Sequence, residues 1–338
     1  MIGESSAGVL AATPRVGSRG FFVTLALITL VSLVGVPLAF TVATATGHGL
    51  PGALTLITVT GPMHVAATSF FYVDRDFWPV LRESPGRSFW SVALVPLGVL
   101  GLGIAGTAII GAWAYLLIFF YHNVWLFYHY QRQNFGLISL VSRNVGYGRL
   151  PPRVNTTLNL AALGGIITLC ATPGFFPPGT EGLVTPQAYL LIRALGIGVY
   201  VLSLVLMMWV FWRESRLRES VWLIGALVLG MAFFLPAVVF RSITHAFLPN
   251  AIAHGAQYIF MMSVLSGRSR RGWLAFLTMC VLGVTIGSVL NTMSTWPLIL
   301  VVSGVTQVHF LIDAKVWRLS ERKQRAIMND RFDFLLAA

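Results

Sequence analysis

Apolar runs of about 20 residues recur from one end of this chain to the other, and that is the length a helix needs to cross the hydrocarbon core of a bilayer. They cover Gly20–Ala45, Ala53–Val73, Phe89–Gly106, Ala108–Tyr130, Thr156–Phe175, Ala188–Trp212, Val221–Ala246, Asn250–Leu265, Trp273–Met293 and Pro297–Trp317. Only 10% of the residues are charged, against about 25% in soluble domains. So few charges cannot cover a water-facing surface, and lipid is the expected solvent. The sequence therefore predicts an all-α polytopic transmembrane helical bundle of about ten spans, with residues 1–338 forming a single transmembrane domain and 319–338 a short cytoplasmic tail. No Gly/Ser-rich linker or low-complexity tract divides it.

The basic residues fall in alternate connections. Arg15 and Arg19 precede the first span; Arg75, Arg82 and Arg87 lie between the second and third; Arg132, Arg143, Arg149 and Arg153 between the fourth and fifth. Arg213, Arg216 and Arg218 follow the sixth, Arg268, Arg270 and Arg271 the eighth, and Lys315, Arg318, Arg322, Lys323, Arg325 and Arg331 end the chain. The connections at 47–52 and 294–296 carry neither Lys nor Arg. Basic residues collect on cytoplasmic loops, so both termini are expected to be cytoplasmic, in a bacterial inner (cytoplasmic) membrane. The same pattern explains the net charge of +12 without a nucleic-acid partner. Arg15, Arg19 and Ala43-Thr44-Ala45 imitate a signal peptide, but the run between them is longer than the ~7–15 residues of a signal core and reads as an uncleaved span. Gln133–Arg153 reads as a longer cytoplasmic segment, partly helical along the interface. The tail ends in Phe332, Phe334, Leu335 and Leu336 and is expected to dock on the cytoplasmic face. Cys170 and Cys280 are far apart in apolar runs and carry no disulfide or metal role.

Of the seven histidines, His48 falls in an outer loop and is discounted. His64, His122, His129, His245, His254 and His309 lie in or at the ends of spans, where ionisable groups mark function by default. His122 and His129 are two helical turns apart on one face, His254 and Gln257 share a face, and so do His309 and Asp313. At ~1.5 Å rise per residue, His64, His122, Gln257 and His309 all fall ~13–17 Å above the inner boundary, with His254 a turn higher and His129 and Asp313 lower. Spans two, four, eight and ten run in the same direction, so their donors can converge, as in metal sites of helical bundles. Several imidazoles and a carboxylate suit iron, zinc or copper.

The expected metal ligands are His64, His122, His254, His309 and Asp313, with His129 available to a second metal. Asp313 serves as a ligand or as a base beside one, and Asp313 and Tyr128 are the catalytic candidates. Gln257 and Arg241 are the substrate-binding candidates; Arg193 and Arg241 are the basic residues off the cytoplasmic side and could meet an anionic headgroup. The bland readings stand beside these. A membrane histidine is often only hydrogen-bonded to a neighbouring helix, and His245, four residues after Arg241, is read that way. Asp74 and Asp76, just below His64, could add a carboxylate, but read first as pairing with Arg75 in a loop. Gln131 and Gln133 cap a helix end, and Gly61-Pro62 kinks a helix just before His64. Tyr121, Tyr128, Tyr130 and Tyr258 lie near the histidines as hydrogen-bond partners, redox groups or interfacial aromatics. No P-loop, dinucleotide fingerprint, H-E-x-x-H or G-x-S-x-G is present.

The pattern resembles histidine-rich integral-membrane metalloenzymes. Membrane fatty-acid desaturases and hydroxylases carry H-x-x-x-H and H-x-x-H-H boxes, which this chain lacks. Bacterial carotene-cleaving oxygenases of the Brp/Blh type carry a C-terminal histidine followed by an apolar run and Asp. His309 to Asp313 is similar but one residue shorter, and His64 lacks the following Gly and Asp. Haem A synthase is similar in placing histidines on alternate helices, but it has a Glu where this chain has Gly61-Pro62-Met63. Each resemblance covers only a few residues and transfers no function; the His/Asp pattern itself gives the leading expectation, a membrane metal-dependent oxidoreductase with non-haem iron acting on a lipid or isoprenoid. Its partners would be membrane lipid, a hydrophobic small-molecule substrate and an electron donor at the cytoplasmic face. The alternatives are a haem-binding redox or haem-modifying protein, which needs axial histidines on facing helices, and a transporter whose His/Asp residues relay protons or pass a metal ion.

Overall fold

The computed structural model describes residues 17–46, 61–82, 85–175, 184–267, 270–292, 296–318 and 321–336. It is 88% helical, with no strand among the described residues. His48 lies outside them.

The elements follow the apolar runs. Helix α1 (Ser18–Ala45) contains a π turn at Val31–Gly35. Pro37 has no N–H to offer Leu33, and the backbone there widens so that Val36 N–H reaches Val31 O. Helix α2 occupies 61–67 and 70–73, the two parts joined by a tightened turn in which Ser69 N–H donates to Ala66 O at 2.9 Å. The Gly61-Pro62 kink expected from the sequence falls at the edge of the described residues. A short α3 (Trp78–Arg82) precedes α4 (Pro85–Ile110), and Gly111 at φ +60° turns the chain into α5 (Ala112–Asn144). Then come α6 (Pro152–Cys170), α7 (Pro186–Arg213), α8 (Val221–Val239), α9 (Ile243–Ser266), α10 (Arg270–Thr292), α11 (Trp296–Val316), α12 (Arg322–Arg331) and α13 (Asp333–Leu336).

Four helices among the described residues are long and apolar enough to cross a membrane: Ser18–Ala45, Pro186–Arg213, Val221–Val239 and Arg270–Ser288. The apolar windows of α7 and α10 are only 28% and 22% buried, with Leu190, Leu191, Trp212 and Val281 facing outward. An exterior of this kind exceeds the apolar patches that water-soluble monomers expose. The helices carrying the histidines are not among these four. Helix α9 lies at the centre, packed by α1, α5, α6, α8 and α10.

Close helix contacts rest on small residues, as is usual where lipid surrounds a bundle. Gly164 on α6 faces Gly196 and Tyr200 on α7, and a Cβ at Gly164 would lie 2.6 Å from the Tyr200 backbone nitrogen. Gly164→Leu is therefore expected to destabilise the protein by at least ~1–3 kcal/mol, read as a lowered thermal midpoint in detergent. Gly225→Ala, where a Cβ meets open space, should leave the midpoint unchanged. The break in α8 near Pro236 frees backbone carbonyls in the interior. Buried Asn250 donates to Phe233 O at 2.6 Å, and Tyr200 OH donates to Met231 O at 2.9 Å, which satisfies them.

The chain end packs against α1 and α5. Phe332 and Leu335 are buried, Phe21 meets Phe332 and Phe334 edge to face, and Asn144 donates to Leu335 O at 3.1 Å. Arg331 donates to Asp74 at 3.1 Å and also to Asp76. The two aspartates thus pair with the C-terminal helix and not with Arg75, because folding brings a buried guanidinium beside them.

Candidate metal centre

Four helices bring donors to one buried point. Helix α2 supplies His64 and, one turn on, Thr68. Helix α5 supplies His129, α9 supplies His254 and Tyr258, and α11 supplies His309 and Asp313. In each of the three i,i+4 pairs the two side chains share a face. All seven are buried, His254 and Tyr258 to 1% exposure. The imidazoles follow one another around a four-sided figure in the order His64, His254, His129, His309. Its sides, between ring centres, are 5.0, 4.9, 4.9 and 4.9 Å, and the His254–His309 diagonal is 6.5 Å. Neighbouring rings meet edge to face. Tyr130 covers His254 at 4.3 Å.

A hydrogen-bonded chain fixes His309. Tyr258 OH donates to Asp313 Oδ1 at 2.8 Å; Thr68 Oγ1 lies 2.8 Å from Tyr258 OH and 2.5 Å from His309 Nδ1. Tyr258 has spent its one proton on Asp313, so Thr68 must donate to Tyr258, and His309 Nδ1–H must donate to Thr68. Nε2 of His309 then carries a lone pair. It points toward Asp313 Oδ2, 3.7 Å away, and the same oxygen is 3.7 Å from His129 Nε2. These separations are too long for hydrogen bonds. They are the spacing of donors that sit about 2.0–2.2 Å from a shared cation. Nε2 of His129 and His309 and both ring nitrogens of His254 have no hydrogen-bond partner among the described residues. Buried polar atoms are normally paired, and a cation at the centre of the figure would satisfy one nitrogen on each ring.

The donor atoms fall into two groups, His64/His254/His309 and His129/His309/Asp313, each with its ligand atoms within 4.8 Å of one another. Both could hold a metal ion, and both use His309. Its Nδ1 is committed to Thr68, so Nε2 serves one ion at a time. The two groups therefore meet at His309, and His129 belongs with Asp313 in the second of them.

The other sequence candidates lie apart. His122 is outside both groups and faces Gln307, with Nδ1 3.5 Å from its amide nitrogen. The depth argument placed His122 in the donor layer by ending the fourth span at Tyr130. Helix α5 instead runs unbroken for 33 residues to Asn144, which also replaces the partly helical interfacial segment expected after Gln133. The layer therefore falls two turns lower, at His129. His122→Ala should accordingly keep its full complement of metal, measured by elemental analysis on purified protein. Tyr128 is 45% exposed and stacks near Trp125; one residue before His129, it points around the helix away from the site. Its place beside the carboxylate is taken by Tyr258. Arg241 is exposed between α8 and α9, near Arg193, whose guanidinium caps α8 through Val238 O and Phe240 O at 2.9 and 3.3 Å. His245 contacts Thr41 at 3.3 Å, away from the cluster.

Gln257 is next to the site but not in it. One turn after His254, it donates to Thr29 at 2.7 Å and accepts from Gln133 at 3.0 Å. Gln133 also donates to His254 O at 3.2 Å, so it braces the cluster helix instead of capping α5. Gln257 forms one wall of a cavity of about 340 Å³ between α1, α5 and α8. Thr68 and Asn134 were missed in the sequence. The signal for Thr68 was its four-residue spacing from His64.

Fold and site together define a protein that is all-helical among the described residues, with four helices long and apolar enough to cross a membrane and a buried His/Asp cluster able to hold a metal ion. Compared with known proteins, the chain matches no family model, no curated protein and no solved structure.

Proposed function

We propose that the protein is an integral-membrane, metal-dependent oxidoreductase that uses non-haem iron to oxidise a lipid or isoprenoid. The observation that carries this reading is the His309 Nε2 lone pair aimed at the Asp313 carboxylate and flanked by His129. That arrangement is repulsive unless a metal ion or a proton lies between the groups. Several imidazoles and one carboxylate suit iron, zinc or copper. The adjoining cavity favours iron, because its walls are largely apolar and oxidising an apolar chain calls for a redox metal. Haem fits less well, since a macrocycle would have to pass between rings already 4.9–5.0 Å apart.

In this reading the chain crosses a bacterial inner membrane about ten times, as one domain with both termini and the 319–338 tail in the cytoplasm, supported by the alternation of arginine-bearing connections. The electron donor would then act from the cytoplasmic face. When bound, the metal supplies the redox chemistry. His309, Thr68, Tyr258 and Asp313 hold the ligand orientation, and Tyr258 keeps a proton on the Asp313 oxygen that faces away from the histidines. The His309–Thr68–Tyr258–Asp313 chain is also what a proton relay would need, which gives the transport reading its one specific support.

The test is comparative mass spectrometry of membrane lipid extracts from cells expressing the wild type or His309→Ala. A neutral lipid gaining one oxygen or losing a pair of hydrogens in the wild type alone is the expected result. Identical extracts from cells whose wild-type protein is iron-loaded would overturn the oxidoreductase reading and leave the relay.

A further inference from the structure

The cavity beside Gln257 reaches from the surface to the interior. Val221 at its mouth is 70% exposed, whereas Gln257 and Asn134 at its inner end are 3% and 5% exposed. Its volume of about 340 Å³ lies in the range of ligand pockets, ~300–1,000 Å³. No charged residue lines it, so an ion, a phosphate or a carboxylate would enter without a counter-charge. Its polar groups are Gln257, Thr29 and Asn134, along with the indole of Trp222. Gln257 and Thr29 bond to each other at 2.7 Å. Asn134 Nδ2 is buried in this wall without a hydrogen-bond partner among the described residues. A buried amide donor left unpaired is costly, and turning the Asn134 side chain toward the cavity would let an acceptor atom on a ligand complete it. Asn134 follows His129 by five residues on α5, about 7.5 Å along the axis and about 140° around it, so the cavity reaches the cluster only through Gln257, one turn after His254. Gly225 opens the opposite wall, where a Cβ would meet nothing within 4 Å.

We infer that this cavity binds an uncharged lipid with a long apolar chain and one hydrogen-bond-accepting oxygen, an alcohol or a carbonyl, held by Asn134. This names the substrate class of the proposed oxidoreductase and rests on that reading only for the reaction, not for the binding. Asn134 is the specificity-determining residue, selecting an oxygenated lipid over a hydrocarbon, while the lack of charge excludes fatty-acid anions.

The experiment uses the full chain in phosphatidylcholine nanodiscs and photolabels it with dodecanol carrying a terminal diazirine. Metal content is measured on the same preparation. Labelling is expected in peptides of α5 and α8 that line the cavity, displaced by dodecanol but only weakly by dodecane or dodecanoate. Gly225→Phe should abolish it. Asn134→Leu should weaken displacement by dodecanol about ten-fold and leave dodecane unchanged. Labelling confined to lipid-facing helices, or unaltered by Gly225→Phe, would overturn the inference. Equal displacement by dodecane and dodecanol would overturn the role of Asn134. Labelling of the cavity in protein without metal would uphold the binding site while removing the metal centre, and metal without labelling would do the reverse.

Discussion

Replacing His309 by alanine is expected to abolish metal binding, weakening it by more than about 100-fold. No other single substitution in the cluster should do as much. His309 belongs to both donor groups, so its loss leaves no complete set of three. His64→Ala removes one group but leaves His129, His309 and Asp313 within 4.8 Å of one another. His129→Ala and Asp313→Asn leave the His64, His254 and His309 set. Chelator competition on purified protein should therefore rank the variants, with His309→Ala lowest and the other three intermediate. Equal losses in all four would mean that the donors act as one indivisible set, and unaltered affinity in His309→Ala would place the ion elsewhere.

Tyr258→Phe is expected to weaken metal affinity by about 10–100-fold without removing a ligand. The phenol is the link between Thr68 and Asp313, at 2.8 Å on each side. Without its hydroxyl, Thr68 loses its acceptor and can turn its proton toward His309 Nδ1. That favours the tautomer with the proton on Nε2, the atom needed for the ion. Asp313 also loses one of its two donors, Trp317 being the other. Thr68→Val interrupts the same chain one step earlier, so it should cause a loss of similar size, and the double variant should be no worse than the poorer single one. Additive losses would show that the two side chains act separately.

Much of this site is legible in the sequence because it depends on helical spacing. His309 with Asp313 and His254 with Tyr258 are one turn apart, and any helix through them puts each pair on one face. The alternation of arginine-bearing connections makes the four donor helices parallel in the sequence reading, and their donors do meet. What failed was depth. Measuring inward from a boundary at Tyr130 gave His122, because nothing in Gln131–Asn144 announces that α5 continues past its arginine. Tyr128 and Tyr130 flank His129 equally in sequence, but only the packing of α9 decides that Tyr130 covers His254 and Tyr128 faces out. The pairing of Arg331 with Asp74 and Asp76 joins positions more than 250 residues apart, which local pattern cannot supply. Asn134 reads as one polar residue among several at a helix end until the cavity beside it is seen.

X-ray absorption at the metal edge of the purified wild-type protein tests the central claim most directly. One ion per chain is expected, surrounded by nitrogen and oxygen at about 2.0–2.2 Å, with the outer-shell scattering of several imidazoles. A protein with no bound metal, or a metal held by sulfur, would contradict it.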